Sequence, residues 1–263
     1  MEQRSNGSRA EPVTGSSRLT EVISARDGDQ SDRGSVLFSA WVSAVLLAVI
    51  PPLWGALVLT RSRERSMRLV RRWARRVIAA CGCPLRISGA HHLELAPCAI
   101  IVANHSSHLD SVVLLAVIAS DYRFVANHGE LSRPFVGLVL RRGRHLIVDR
   151  GSMRSRVNCM RAMLHVLERG TSLVLFPEGT RSGGGLMGFK NGAFRAAIRS
   201  GRPIIPVAIA GTSNILPRRF RLLRRSHIHV HILPPIYPAS GSEDVGELRQ
   251  ETAAAIAGIL EAS

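Results

Sequence analysis

His105 and Asp110 are the pair whose types and spacing first suggest chemistry. They lie in Asn104-His105-Ser106-Ser107-His108-Leu109-Asp110, between the apolar runs Ala99 to Ala103 and Val112 to Ile118. A strand ending at Ala103 and a helix starting within the polar stretch bring the carboxylate back under the imidazole, since a helical turn takes about 3.6 residues. A carboxylate on one ring nitrogen fixes the tautomer and stabilises the imidazolium, leaving the other nitrogen as a general base. If the substrate supplies the hydroxyl, no Ser or Cys nucleophile is needed. The same residues also suit a plainer role, with His105 capping the helix and Asp110 a solvated first-turn acid.

A second stretch bears on that choice. Leu173-Val174-Leu175-Phe176 reads as a strand running into Pro177-Glu178-Gly179-Thr180-Arg181-Ser182, a turn able to offer backbone N–H groups, a hydroxyl and a guanidinium to an anion. Phe189-Lys190-Asn191-Gly192 follows, and Arg150 closes the earlier apolar segment Leu146-Ile147-Val148-Asp149. Ligands of open α/β sheets gather at the carboxyl ends of the strands, so His105, Arg150, Glu178, Arg181 and Lys190 are expected at one edge. One base and three cations describe a site that deprotonates a hydroxyl on a phosphorylated molecule.

Positioning these groups takes a sheet. Strands are expected at Leu85 to Ser88, Ala99 to Ala103, Arg123 to Ala126, Leu146 to Asp149, Ser172 to Phe176, Ile204 to Ala210 and Ile228 to Leu233. Helices are expected at Ser111 to Ala119, Arg154 to Arg169, Ala193 to Ser200 and about Glu243 to Leu260. This alternation predicts an α/β fold with a mixed, largely parallel sheet of about seven strands covered by helices, which 263 residues can supply as one domain with appendages. His227, His229 and His231 alternate with Ile228, Val230 and Ile232, which suits the solvated face of an edge strand better than a metal site. Cys81, Cys83, Cys98 and Cys159 are too few for a disulfide scaffold and read as reduced.

The N-terminal region divides by composition. Residues 1–34 are rich in Ser, Gly, Arg and acids without apolar periodicity and are expected to form a disordered tail. Val36 to Thr60 then runs 25 residues without a charge, enough to cross a hydrocarbon core of about 30 Å, so 35–60 reads as a membrane-anchoring segment. Pro51-Pro52 leaves both a kinked span and a re-entrant hairpin open. Eight arginines between Arg61 and Arg76 place the following side in the cytoplasm, and the apolar stripe Met67, Val70, Trp73, Ala74, Val77 and Ile78 makes 61–81 a basic amphipathic helix. It is expected to lie on an anionic lipid surface, with docking on the domain that fills 82–263 as the alternative. The net charge of +16, mostly arginine with few aromatics and no nucleic-acid module, favours an anionic membrane or a phosphorylated substrate over nucleic acid.

Taken in order, Asn104-His105 with Asp110, Ile147-Val148-Asp149-Arg150, Phe176 to Ser182 and Ile205-Pro206-Val207 resemble the four blocks of the glycerolipid acyltransferases, most closely the bacterial 1-acyl-glycerol-3-phosphate acyltransferases. The resemblance implies that His105 is the general base and Asp110 its orienting partner. It makes Arg150 and Arg181 phosphate ligands and places Asn104, Glu178, Gly179, Thr180 and Lys190 in the substrate site. It further implies transfer of an acyl chain from coenzyme A or acyl carrier protein to the 2-hydroxyl of lysophosphatidic acid, giving phosphatidic acid. Neither metal nor bound cofactor would be needed, and the catalytic domain would face the cytoplasm at the inner membrane. Asn127 stands where many relatives carry lysine, which leaves another lysolipid, such as a lyso-ornithine lipid, as an alternative acceptor. An inactive basic membrane-binding protein is the alternative from another class.

Overall fold

The computed structural model describes residues 16–182, 185–217, 222–239 and 244–262. In chain order the elements are α1 (Ser16–Leu59), α2 (Arg63–Ala80), β1 (Leu85–Ser88), α3 (His92–Leu95), β2 (Ile100–Ala103), α4 (Leu109–Val117), β3 (Tyr122–Asn127), a 3-10 turn (His128–Ser132), α5 (Pro134–Arg142), β4 (Leu146–Val148), α6 (Met153–Glu168), β5 (Ser172–Leu175), α7 (Gly192–Ser200), β6 (Ile204–Ala210), α8 (Thr212–Ile215), β7 (Ile228–Ile232) and α9 (Val245–Glu261). The strands form one sheet in the order β1-β7-β6-β2-β5-β3-β4, parallel at every step except β6 against β7.

β2 and β5 are buried along their whole length, as central parallel strands covered on both faces must be. Their side chains alternate between two cores. Ile101, Ala103 and Val174 join Ile205 and Val207 beneath α1, α2 and α4, while Ile100, Val102, Leu173 and Leu175 join Ile204 beneath α6, α7 and α9. Five strands (β2 to β6) therefore end at one edge, and the loops after them, with the first turn of α4, carry every candidate site residue.

The N-terminal region departs from expectation in three ways. Residues 1–15 of the expected disordered tail lie outside the described residues, but from Ser16 the backbone is helical and continuous with the apolar run. Adding a residue to an existing helix is far cheaper than nucleating one, so the strongly apolar part of α1 can carry the polar part with it. The apolar run contains no re-entrant turn either: α1 continues through Pro51 and Pro52 to Leu59. Finally, α2 is docked on protein. Its stripe, Met67, Val70, Ala74 and Ile78, is buried in the same core as Leu53 and Leu57 of α1 and Val113 and Leu114 of α4.

Arginines of α2 secure that docking. Arg71 donates to the carbonyls of Ala119 and Ser120 at 2.5 and 2.6 Å, and Arg75 to that of Ala116 at 2.7 Å, filling acceptors that the end of α4 leaves open. Arg63 forks onto Asp121 and also donates to the Gly143 carbonyl. Asp121 and Gly143 lie at the amino-terminal ends of β3 and β4, so α2 starts opposite the site edge and ends beside it. Trp41 of α1 donates its ring N–H to the carbonyl of Ala80, the last residue of α2, so the two helices are antiparallel and residues 34–40 of α1 lie toward the site edge. Ser39 accepts from the backbone N–H of Leu223, in the loop that links that edge to β7.

One smaller expectation also changes. β7 lies between β1 and β6 and is not an edge strand. Ile228, Val230 and Ile232 are buried, while His229 and His231 are half-buried on the other face, where Ser88 of β1 meets His231 at 2.8 Å.

Candidate active site

Asp110 is fully buried in the first turn of α4 and is surrounded by donors. Its Oδ2 lies 2.9 Å from His105 Nδ1 and accepts from the backbone N–H groups of Ser106 and Ser107, each at 2.8 Å. Its Oδ1 accepts the hydroxyl of Thr212 at 2.5 Å. A buried carboxylate needs this much compensation, because desolvating one ion costs several kcal/mol and a hydrogen bond to a charged group returns about 1.5–3. The expected one-turn return from His105 to Asp110 is thus present. With Nδ1 on Asp110 that nitrogen carries the proton, and Nε2 is the nitrogen left to act on a ligand. The side chain of His105 keeps 16% of its surface, and its ring stacks on Phe176 at 4.1 Å between centroids.

The backbone of His105 is held as firmly as its ring. Its N–H donates to Glu178 Oε1 at 2.6 Å, its carbonyl accepts from the Ser182 N–H at 2.8 Å, and Glu178 Oε2 accepts from the Met187 N–H at 3.1 Å. Burial pushes the Glu178 carboxyl up, with the two N–H bonds opposing it. Glu178 is therefore a bracket between β2 and the loop after β5, and not a group turned toward a ligand. Asn104 changes role in the same way. It is buried, its amide N–H donates to the Ile209 carbonyl at 2.9 Å, and its Oδ1 accepts the Ile209 N–H at 2.7 Å, so it ties the end of β2 to β6.

The turn at 177–182 presents fewer backbone donors than expected, because Gly179 N–H bonds to the Phe176 carbonyl and Ser182 N–H to that of His105. What the turn does is bring cations together. Gly179 has φ +76°, and a Cβ there would lie 2.8 Å from Lys190 Nζ and 3.2 Å from Arg150 Nη1. Both cations thus converge over a position that only glycine leaves open. Arg150 is half-buried, burial pushes its pKa down, and among the described residues no carboxylate pairs with it. Arg181 is half-buried and likewise unpaired among the described residues, while Lys190 and Thr180 are exposed. A partly desolvated cation without a counter-ion is costly unless an anion completes it, so the arrangement is suited to receiving an anion.

Residues 84–210 match the family model described as Acyltransferase. By that match, the part of the chain from Pro84 to Ala210 carries an acyltransferase domain. Over 159 residues it is 33% identical to the chloroplastic 1-acyl-sn-glycerol-3-phosphate acyltransferase BAT2 of Brassica napus, covering 60% of this chain and 46% of that protein. Over 153 residues it is 36% identical to the 1-acyl-sn-glycerol-3-phosphate acyltransferase of Salmonella typhimurium, covering 57% of this chain and 62% of that protein. The match thus spans about half to three-fifths of these relatives. The crystal structure of the 1-acyl-sn-glycerophosphate (LPA) acyltransferase PlsC from Thermotoga maritima shares the fold, with a TM-score of 0.72 and 22% identity over 87% of this chain and 95% of that one. The α/β sheet and the acyltransferase domain expected from the four blocks are both found.

Thr212 is the site residue that sequence reasoning missed, although it lies only five residues beyond the fourth block. Gly211 delivers it, with φ +87° and its Cα so close to the backbone that a Cβ would run into the His227 carbonyl oxygen. Replacing Thr212 with Val removes one of Asp110's four donors and changes little else in shape. Thr212→Val should lower stability by about 1–3 kcal/mol and acyl-transfer turnover about tenfold, measured by thermal unfolding and initial rates. Unchanged values for both would show that the hydroxyl does not support the pair.

Proposed function

We propose that the protein transfers an acyl chain from a thioester to the 2-hydroxyl of 1-acyl-glycerol-3-phosphate, forming phosphatidic acid. The observation that carries this reading is the pairing of His105 Nδ1 with a buried, fully satisfied Asp110 at the edge where Arg150 and Lys190 meet over Gly179 and Arg181 follows in the same loop, none of the three paired with a carboxylate among the described residues. Its named relatives support the same acceptor.

His105 Nε2 takes the hydroxyl proton as the alkoxide oxygen attacks the thioester carbonyl, and Asp110 stabilises the imidazolium so formed. Collapse of the tetrahedral intermediate breaks the carbon–sulfur bond. The imidazolium returns its proton to the leaving thiolate, and the ring is regenerated. Arg150 and Arg181 hold the acceptor's phosphate, which orients its hydroxyl and lowers the entropic cost of the attack. Because a thioester is already activated, the reaction asks for neither metal nor bound cofactor. Coenzyme A and acyl carrier protein are both anionic and water-soluble, so either donor suits a basic edge facing the cytoplasm.

One observation favours a second acceptor class. Asn127 is exposed and its Oδ1 receives the Gly129 N–H, so this position puts no cation beside the site, as an acceptor without phosphate such as a lyso-ornithine lipid would allow. Purified protein offered acyl thioester and a panel of lysolipids, with products read by mass spectrometry, separates the two. Phosphatidic acid is the expected product, His105→Ala should reduce its formation about 10²- to 10⁴-fold, and near-normal turnover by that variant would refute the base assignment.

The reading also includes attachment to the inner membrane. Residues 34–59 of α1 are long and apolar enough to cross a bilayer, and Leu37, Trp41, Leu47 and Trp54 are exposed. Its second half lies antiparallel to a helix docked in the domain core, so α1 immersed in one leaflet beside the site edge agrees better with the packing than a free span does. Exposed Arg65, Arg68, Arg72 and Arg76 of α2 would meet anionic headgroups. Replacing Leu37, Leu47 and Trp54 together with Ser should release most protein from anionic vesicles in flotation while sparing turnover of detergent-dispersed acceptor. Full retention on the vesicles would place the anchor elsewhere.

A further inference from the structure

The Arg150–Lys190 pair at Gly179 belongs to the loops that lead into α6 and α7, on one face of the sheet. A further cation, Arg133, sits on the other face. His108, three residues beyond His105 and just ahead of α4, is half-buried, and its Nε2 lies 3.2 Å from Nη1 of Arg133. Arg133 stands where the 3-10 turn after β3 gives way to α5, and its side chain is 48% exposed. Its one acidic neighbour among the described residues is Glu130, whose Oε2 is 3.4 Å from Nε. A guanidinium has five N–H donors, so a single imidazole and a single carboxylate leave most of this fork for a ligand.

His108 is suited to holding Arg133. Burial, then Arg181, Arg133 and His105, push its pKa below the ordinary histidine value, with Glu130 opposing them. The ring is therefore neutral near pH 7, and its Nε2 accepts an N–H of Arg133. His108 follows His105 by three residues in the loop after β2, which sets the guanidinium it holds beside the site edge. α5 packs against α1, the helix with the exposed apolar surface, so this group lies on the side from which a membrane lipid would arrive.

We propose that Arg133, held in place by His108, joins the strand-end arginines in binding the phosphomonoester of the lipid acceptor and sets this chain's preference for that headgroup. The proposal rests on the acceptor reading above. A phosphomonoester carries up to two charges and three terminal oxygens, which a forked guanidinium matches and a single lysine cannot. Arg133 is a specificity-determining residue, and His108 a positioning residue acting through it. An acceptor without a terminal phosphate gains nothing from either.

The test uses the full chain in detergent. Arg133→Ala should raise KM for 1-acyl-glycerol-3-phosphate about tenfold or more, leave kcat within about twofold and leave KM for the acyl donor unchanged. KM for monoacylglycerol, which lacks phosphate, should not move. Arg133→Lys should restore only part of the loss. His108→Ala should shift the same KM less, and His108→Gln, whose amide oxygen can accept the same N–H, should restore it. Calorimetric titration with glycerol 3-phosphate gives a readout independent of turnover: the unaltered protein should bind and Arg133→Ala should bind about tenfold more weakly. If no acceptor is turned over but this difference in binding is found, the acyl-transfer reading fails and the anion site stands. Equal binding by both proteins, or no binding by the unaltered one, overturns the site.

Discussion

A carboxylate removed from water holds this site together. Asp110 joins the loop that follows the strand ending at Ala103, the helix that starts at Leu109 and, through Thr212, the turn after β6. Each of its four donors comes from a segment whose position depends on the sheet, so the ring of His105 can be aimed only when the whole edge is assembled. Losing a single donor exposes part of a desolvation cost that amounts to several kcal/mol for an isolated ion. The polar network therefore rests on the packing of two apolar cores and in turn fixes where their strands end.

Around that anion the protein leaves cations unpaid. Arg150 and Arg181 are half-buried without a carboxylate among the described residues, and Arg133 shares a single glutamate. By contrast, the arginines of α2 that pack on the domain are spent on the carbonyls at the end of α4 and on Asp121. The two sets differ in what completes them. Protein carbonyls and a carboxylate satisfy the first helix-bound set, whereas the strand-end set awaits an anionic ligand. On the proposed function, one orientation serves both substrates, with a lipid acceptor approaching past α1 and a soluble thioester reaching the same edge from water.

Much of this was legible from residue types alone. All seven strands were marked by short apolar runs bounded by Gly, Pro or charges, and the return of Asp110 under His105 follows from helix geometry. What could not be read was the partner of a side chain distant in sequence. Asn104 and Glu178 look like ligand-binding groups until Ile209 and Met187 are seen to occupy them. The stripe on α2 has the same period whether it meets lipid or protein, so only its burial against α1 and α4 decided the matter. Thr212 carried one signal, a glycine just before it at a strand end. His108 carried none, since a histidine ahead of a helix is ordinary.

The central claim is geometric: an acceptor hydroxyl and its phosphate are held between His105 Nε2 and the strand-end arginines. A crystal structure with glycerol 3-phosphate bound tests it most directly. The account predicts the 2-hydroxyl within about 3.2 Å of His105 Nε2 and the phosphate in contact with Arg150 or Arg181. A phosphate bound away from this edge, or a hydroxyl that cannot reach the ring, would contradict it.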